Sequence, residues 1–401
     1  MINLLLPEEL KQLKAGTYEF MMSLFRPISR KYDTLEHVYP KELDVLRGSV
    51  GIGSFEKSNK KEKSEQPKQK SDERPSDNNI QSAVVTEELA HADVGLMMTI
   101  PNSAPGNLAL RGLATDEQME KFGGKWTAFS LTEPDTGSDS GSVKTTAVLD
   151  GDEWVLNGEK IFVTAADRCD NVIVFATIDK SAGKAGIKPF LVEKGTPGFT
   201  LEKLEKKMGI RASDTGNFVL NNCRIPKENI LGDPGVEKDT SRGFKGAMNF
   251  FDSSRPVVGI MGTGVARAAL DFTRERLKEN GYLLDYHKNT NNISSLEKEF
   301  YHMEASLEAT RLLTWRAFWM LDEKQPNSCE ASMSKAKGGR IAALITQKCC
   351  ELLGPMGFSA KELAEKWMRD ARIIDIFEGT GQIQHLVIAR NILNLSSREL
   401  K

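Results

Sequence analysis

Near the C-terminus the chain reads DIFEGTGQIQ, residues 375–384. Glu378 follows Ile376 and Phe377, and Gly379 and Gly381 bracket the threonine after it. Carboxylates usually sit among other charges on solvated helix faces. Set against apolar side chains, a carboxylate loses hydration, its pKa rises, and it holds a proton more strongly. The neighbouring glycines let the backbone turn close to a ligand. On the residues alone, a general base and a plain loop carboxylate are both open readings. Two further polar stretches could meet a ligand. FSLTEPDTGSDSG (129–141) breaks at Pro134 and ends in Gly137, Ser138 and Gly141. Short hydroxyls and free N–H groups in such a turn can hold phosphate or the edge of a heterocycle. FVTAAD (162–167) sets a hydroxyl, Thr164, beside an aromatic, Phe162, and a cofactor ring could use both. Composition alone leaves an ordinary solvated turn open for the first stretch and a plain strand end for the second.

The commoner catalytic patterns are absent. GTGVAR (262–267) echoes a dinucleotide fingerprint, but no strand precedes it and Arg267 replaces the third glycine, so packing glycines are the better account. The chain has no GxxxxGK[ST] phosphate loop, no GxSxG elbow and no Cys/His pairing. The 5 cysteines show no CxxC spacing and the 5 histidines no HxxxH or HExxH pattern, which argues against a disulfide framework and a metal site. Lys+Arg, 54, nearly balance Asp+Glu, 56, so there is no basic footprint for nucleic acid. No run reaches the ~18 apolar residues of a membrane span. MINLLLPEEL lacks a basic start, and Glu8 and Glu9 argue against a transit peptide. The expectation is a soluble, cytoplasmic protein, or one of the mitochondrial matrix if a transit peptide has been removed.

The elements that must position these residues follow a simple order. At 401 residues the chain exceeds one ordinary core. A helical N-terminal domain is expected over 1–125, interrupted by the Lys-, Glu-, Ser- and Pro-rich segment 56–79, which is too polar to repay its ordering and reads as a mobile loop. Helix resumes from 80, with a turn at Pro101 and Pro105. A β domain follows over 126–235, its hairpins signalled by Asp150-Gly151 and Asn157-Gly158. Helices at 242–279, 295–323, 328–353, 361–374 and 381–396 complete a bundle domain over 236–401. Small residues at 259–269 suit close helix contact. The fold class is mainly α with a central β-barrel, without the βαβ alternation of a doubly wound sheet.

The chain resembles the acyl-CoA dehydrogenase family, of the short- or medium-chain type, collinearly from about 85 to 396. The resemblance rests on VTEELAHAD, FSLTEPDTGSD, GDEWVLNGEKIFVT, GIRASDTGNFVLNNCRIPKENIL, GFKGAMNFFDSSRPVVG and WMRDARIIDIFEGTGQIQHLVIARNIL. It implies an N-terminal helical domain, a middle β-barrel and a C-terminal four-helix bundle. It also implies FAD-dependent α,β-desaturation of an acyl-CoA thioester. Glu378 matches the family's base, with Ile376 and Phe377 as a dry wall. In one branch of the family the base stands just before the arginine of the first bundle helix; here that slot is Ser254. The resemblance further implies flavin contacts from Phe129, Leu131, Thr132, Gly137, Ser138, Phe162, Val163, Thr164, Thr380, Gly381 and Gln382. Substrate contacts would come from Ser138, Asp252, Ser253, Ser254, Arg255 and Gly379. Thr132 would bond the flavin's pyrimidine edge, Thr164 would lie near N5, and the backbone N–H of Glu378 would polarise the thioester oxygen. The implied partners are an electron-transferring flavoprotein as acceptor and a second copy in a homodimer or homotetramer.

Some positions depart from the family pattern. Asn280 and Leu283 stand where an arginine and a Phe-Gly pair usually contact the neighbouring subunit's FAD, and ELLGPMG replaces QxxGG, with Glu351 and Pro355 at the changed positions. Both sites serve the adenine half of the cofactor. The usual N-terminal Gly-Gly loop is missing, and 56–79 stands roughly in its place. Met97 and Met98 could either line the acyl pocket or fill core. A lyase- or monooxygenase-like relative and a flavin-poor assembly protein are the alternatives to a dehydrogenase.

Overall fold

The computed structural model describes residues 6–46, 78–101, 105–232, 235, 244–396 and 399. The first helices are α1 (Glu8–Leu24), α2 (Ser29–Thr34), α3 (Asn78–Met97), α4 (Pro105–Leu113) and α5 (Asp116–Phe122). Most of 56–79 lies outside the described residues, but its last two residues open α3 rather than ending a loop. Asp322 accepts from the Asn79 backbone N–H (3.0 Å) and side-chain amide (2.7 Å), supplying acceptors that a helix start otherwise lacks. Pro105 is likewise the first residue of α4, a position where its missing N–H does no harm.

Seven strands follow: β1 (Thr127–Ser130), β2 (Thr146–Asp150), β3 (Glu153–Thr164), β4 (Asn171–Thr177), β5 (Ile187–Glu193), β6 (Phe199–Leu204) and β7 (Thr215–Pro226). They form one sheet in the order β1-β4-β2-β3-β7-β6, with β5 also paired to β4, curled as a half-barrel. Its inner face packs aromatics in pairs, Trp154 on Phe190 (5.2 Å between ring centroids) and Phe199 on Phe218 (4.5 Å). Asp150-Gly151 is the β2–β3 hairpin, and Gly151 has φ 63°. Asn157-Gly158, expected as a second hairpin, instead lies inside β3 at a bulge. Gly158 is required there because a Cβ would overlap the Thr145 side chain.

The bundle comprises α6 (Phe244–Glu279), α7 (Ser295–Asp322), α8 (Ser328–Leu353), α9 (Ala364–Ala371) and α10 (Gly381–Leu393). The helix expected over 361–374 is shorter, ending in a 3-10 turn, Arg372–Asp375. The small residues of α6 do pack helices: a Cβ on Gly259 or Gly262 would strike α8, and one on Gly264 would strike α3. Arg267 of the same GTGVAR segment pairs with Glu87 (2.8 Å) and Glu88 of α3. A buried polar cluster joins helices to sheet. The Lys366 ammonium contacts Asp93 (2.8 Å) and Asp370 (2.6 Å), Ser29 donates to Asp93, and Asp370 accepts from the Ile210 N–H (2.5 Å). Asp93 reaches this cluster by leaving helical geometry, φ −169°, inside α3. Met97 fills the core and Met98 packs against it.

Candidate active site

Glu378 sits in the short loop between the Arg372–Asp375 turn and α10. Its φ is 57°, and that of Gly379 is 87°. For a residue with a Cβ the left-handed region costs roughly 1–2 kcal/mol, so surrounding contacts must impose it. Gln384, fully buried on α10, supplies them: its Nε2 donates to the carbonyls of Glu378 (3.2 Å) and Gly379 (3.0 Å). A Cβ on Gly379 would come within 2.6 Å of that nitrogen. Thr380 caps α10, its Oγ1 accepting from the Ile383 N–H (3.3 Å), and Gly381 is pressed against the Asp375 carboxylate. Gln382 is exposed. The N–H of Glu378 has no acceptor among the described residues.

The carboxylate is partly buried, and burial pushes its pKa up. The hydroxyl of Ser254, which donates to Oε2 at 2.9 Å, and the charges of Arg255 and Lys335 pull the other way without cancelling the rise. The surroundings therefore come from α6 and α8. Of the two residues expected as a dry wall, Phe377 packs against the core, whereas Ile376 is exposed.

Asp252, Ser253, Ser254 and Arg255 lie in α6 just before Pro256. Proline has no N–H to offer the carbonyl four residues back, which here is that of Asp252. Asn327 fills the gap, its Nδ2 donating to that carbonyl at 3.2 Å. The Arg255 guanidinium pairs with Asp252 (2.7 Å) and lies over the Phe251 ring (5.8 Å). Phe251 in turn meets Phe129 of β1 edge-on at 6.1 Å. This contact brings the start of the polar loop to the substrate-like segment.

Beneath that loop Lys160 and Glu133 form a buried pair at 2.8 Å. Burial lowers the Lys160 pKa to about 8. Burial would also raise Glu133, but the Lys160 charge, together with N–H donors from Lys144 and Thr145, holds it below its ordinary value. Lys160 additionally donates to the Leu131 carbonyl (3.1 Å), and the Thr132 carbonyl accepts from the Ile161 N–H (3.0 Å). The loop is thus fastened from below. The hydroxyls of Thr132, Ser138 and Thr164 keep no protein partner among the described residues, and Gly137 opens onto free space. Phe162 is 61% exposed at φ 61°, where the β3–β7 register slips between Lys160 and Val163. The features suit a flat heterocycle with a hydroxylated, phosphorylated tail. The Val163 side chain is buried in the sheet core, so only its backbone can face a ligand, whereas Phe129 and Leu131 are half-buried against a neighbouring core. At the positions expected to meet the adenine half of the cofactor, Glu351 accepts from Lys348 (2.9 Å) and Gln347 (3.2 Å), Asn280 donates to the Arg276 carbonyl (2.7 Å), and Leu283 is 68% exposed.

Sequence reasoning missed Gln384, Lys335, Asn327 and the Lys160–Glu133 pair. The only available signal was a polar residue at an apolar position of its helix or strand.

Comparison with known proteins agrees with this geometry. Two family models match: the acyl-CoA dehydrogenase middle domain over residues 128–223 and the acyl-CoA dehydrogenase C-terminal domain over residues 241–393. The mitochondrial short-chain specific acyl-CoA dehydrogenase of Rattus norvegicus is 34% identical over 396 residues, covering 97% of this chain and 91% of the relative. Subunit CarC of the caffeyl-CoA reductase-Etf complex of Acetobacterium woodii is 35% identical over 319 residues, covering 77% of this chain and 81% of that subunit. The solved structure of butyryl-CoA dehydrogenase from Megasphaera elsdenii superposes with a TM-score of 0.83 at 30% identity, covering 98% of this chain and 100% of that one.

Proposed function

Because this chain belongs to the acyl-CoA dehydrogenase family, FAD-dependent oxidoreductases of fatty acid metabolism, we propose that it desaturates a short-chain acyl-CoA between Cα and Cβ, with Glu378 as the base. The observation that carries this is the Glu378 loop. One left-handed residue presents a carboxylate of raised pKa and an N–H with no acceptor among the described residues, both from the same backbone turn.

In this reaction the Cα–H bond breaks and its proton goes to Glu378. FAD, when bound, would supply the two-electron oxidant for the Cβ hydrogen, which leaves as hydride so that the carbon–carbon double bond can form. The Glu378 N–H donates to the thioester oxygen, stabilising the enolate character that develops as the proton leaves. Raised proton affinity suits the carboxylate to accept from a weak carbon acid near neutral pH. Thr132, Ser138, Phe162 and Thr164, the backbone at Val163, and Thr380–Gln382 would hold the flavin half. Asp252–Arg255, Ser138 and Gly379 would face the CoA thioester. The rat relative's name supports a short acyl chain. CarC, a subunit of an Etf complex, supports an electron-transferring flavoprotein as the acceptor. Exposed Phe358, Leu386, Ile392 and Leu393 support assembly as a homodimer or homotetramer, which sedimentation would measure.

The test is anaerobic addition of a graded acyl-CoA series to the FAD-loaded protein. Bleaching of the flavin by butyryl-CoA, lost in Glu378→Gln with acyl-CoA binding retained, is the expected result. Unchanged turnover in Glu378→Gln would remove the base assignment. Product release without an acceptor would replace desaturation by a lyase reaction, and failure to take up flavin would leave a binding protein.

A further inference from the structure

We propose that Lys335 is a positioning residue for the base: a buried ammonium on α8 that faces the Glu378 loop and keeps its carboxylate ionised without forming an ion pair with it. This rests on the assignment of Glu378 as base.

Lys335 is fully buried, and its Nζ has no hydrogen-bond partner among the described residues. An ammonium withdrawn from water without a partner is unfavourable, and the small-residue face of SMSKAKGGR could have packed without one. Its direction follows from the helix. Gly339, one turn on and on the same face, is pressed so closely to the base loop that a Cβ would lie 2.7 Å from the Asp375 Cα. The face of α8 that carries Lys335 is therefore the face on which the loop rests.

The charged groups around the ammonium come from other elements. Asp375, the last residue of the 3-10 turn, and Glu378 on the loop after it attract it, and Arg255 on α6 repels it. Arg255 is already paired with Asp252 at 2.7 Å, and the Asp375 carboxylate contacts Arg372 at 3.4 Å. Glu378 itself holds only the Ser254 hydroxyl and no close ion pair among the described residues. Lys335 is thus the cation near the base that no other group engages directly. Burial pulls its pKa down to about 8 in spite of the two carboxylates.

This arrangement suits a base. A cation in direct contact would lower the carboxylate's proton affinity and block the approach of substrate. A cation beneath the loop, in surroundings of low polarity, acts over a longer distance and offsets only part of the desolvation. The carboxylate stays charged at working pH and remains a strong acceptor.

The test compares Lys335→Met and Lys335→Gln, which remove the charge, with Lys335→Arg, which keeps it. Two measurements are made: the pH profile of kcat/KM for butyryl-CoA, and an infrared titration of the Glu378 carboxyl band, identified by its loss in Glu378→Gln. In the neutral variants the acid limb and the infrared midpoint should both move up by about one pH unit, with about tenfold lower kcat/KM below the limb. KM at high pH and flavin content should stay unchanged, and Lys335→Arg should restore the wild-type midpoint. A midpoint that stays put in the neutral variants, or moves equally in Lys335→Arg, overturns the proposal. If turnover survives in Glu378→Gln, the base assignment fails on its own account, while the infrared midpoint still reports whether Lys335 acts on the carboxyl.

Discussion

Ser254 occupies a position where a branch of the family places its base, and here its hydroxyl donates to Glu378 at 2.9 Å. Replacing it with alanine deletes a hydrogen bond to a charged group, a class of interaction worth ~1.5–3 kcal/mol. The protonated acid can keep a weaker version of the bond, so about half of that value, ~0.8–1.5 kcal/mol, distinguishes the two protonation states, equivalent to roughly half to one pH unit. The sign follows from which form is favoured. The bond stabilises the carboxylate, so its loss raises the Glu378 pKa further above the ordinary carboxylate range. The acid limb of kcat/KM should therefore move to higher pH in Ser254→Ala, with roughly fourfold to tenfold less activity at a pH below the limb. Above the limb the rate should be unchanged or slightly higher, because the base is stronger. Ser254→Thr, which keeps the hydroxyl, should stay near wild type. The assay is steady-state desaturation of butyryl-CoA across pH with the FAD-loaded enzyme. A limb that does not move, or moves down, refutes the reasoning. A rise in KM alone would make Ser254 a substrate contact and nothing more.

Three other outcomes follow from the same geometry. Burial raises the folded-state pKa of Glu378, so the folded protein holds this proton more tightly than the unfolded chain. The resulting destabilisation grows as pH rises from the unfolded value through the folded one. Glu378→Gln should therefore melt higher than wild type at alkaline pH and equal to it in acid; a difference that grows toward acid contradicts the sign. Gly379→Ala forces a Cβ into φ 87° and to within 2.6 Å of Gln384 Nε2, so kcat should fall at least about tenfold, a barrier change of ~1.4 kcal/mol, with flavin content retained. Wild-type kcat in that variant would show that the turn does not need glycine. Lys160→Met strands Glu133 in the interior, at about 3–5 kcal/mol. Denaturant melts should show the loss, with most of it recovered in the Lys160→Met/Glu133→Gln double variant, and no recovery would argue against the pair.

The order of helices, strands and helices could be read from the sequence because it is written in local periodicity, and the same holds for the Glu378 loop, whose apolar neighbours and glycines are adjacent in the chain. What could not be read depends on neighbours distant in sequence. Asn157-Gly158 has the composition of a hairpin, yet its glycine answers to Thr145 across the sheet. Lys335 and Lys160 look like solvated lysines. They are buried because glycines at 259 and 338 let α6 and α8 close together, and because Glu133 folds beneath the strand that carries Lys160. Ile376, two residues before Glu378, suggested a dry wall but is exposed. Adjacency in the chain singled out the carboxylate, whereas most of its surroundings come from residues distant in sequence.

That difference bears on how the base is made. A glutamate in a glycine loop has no reason of its own to be a strong base, since in water it would titrate normally. Burial raises its proton affinity, and three helices temper that rise and hold the turn in place. α6 contributes the Ser254 hydroxyl, α8 the remote charge of Lys335, and α10 the Gln384 amide that fixes the carbonyls of residues 378 and 379. The amide clamp has a second effect. By holding both carbonyls it keeps residue 378 left-handed, and in that turn the Glu378 N–H finds no acceptor among the described residues. The strain in the backbone and the vacancy on the N–H are thus two consequences of one constraint. In the reaction proposed here, proton removal at Cα and polarisation of the thioester oxygen must happen together. Placing the base and the donor on a single clamped residue fixes their relative geometry before any substrate arrives.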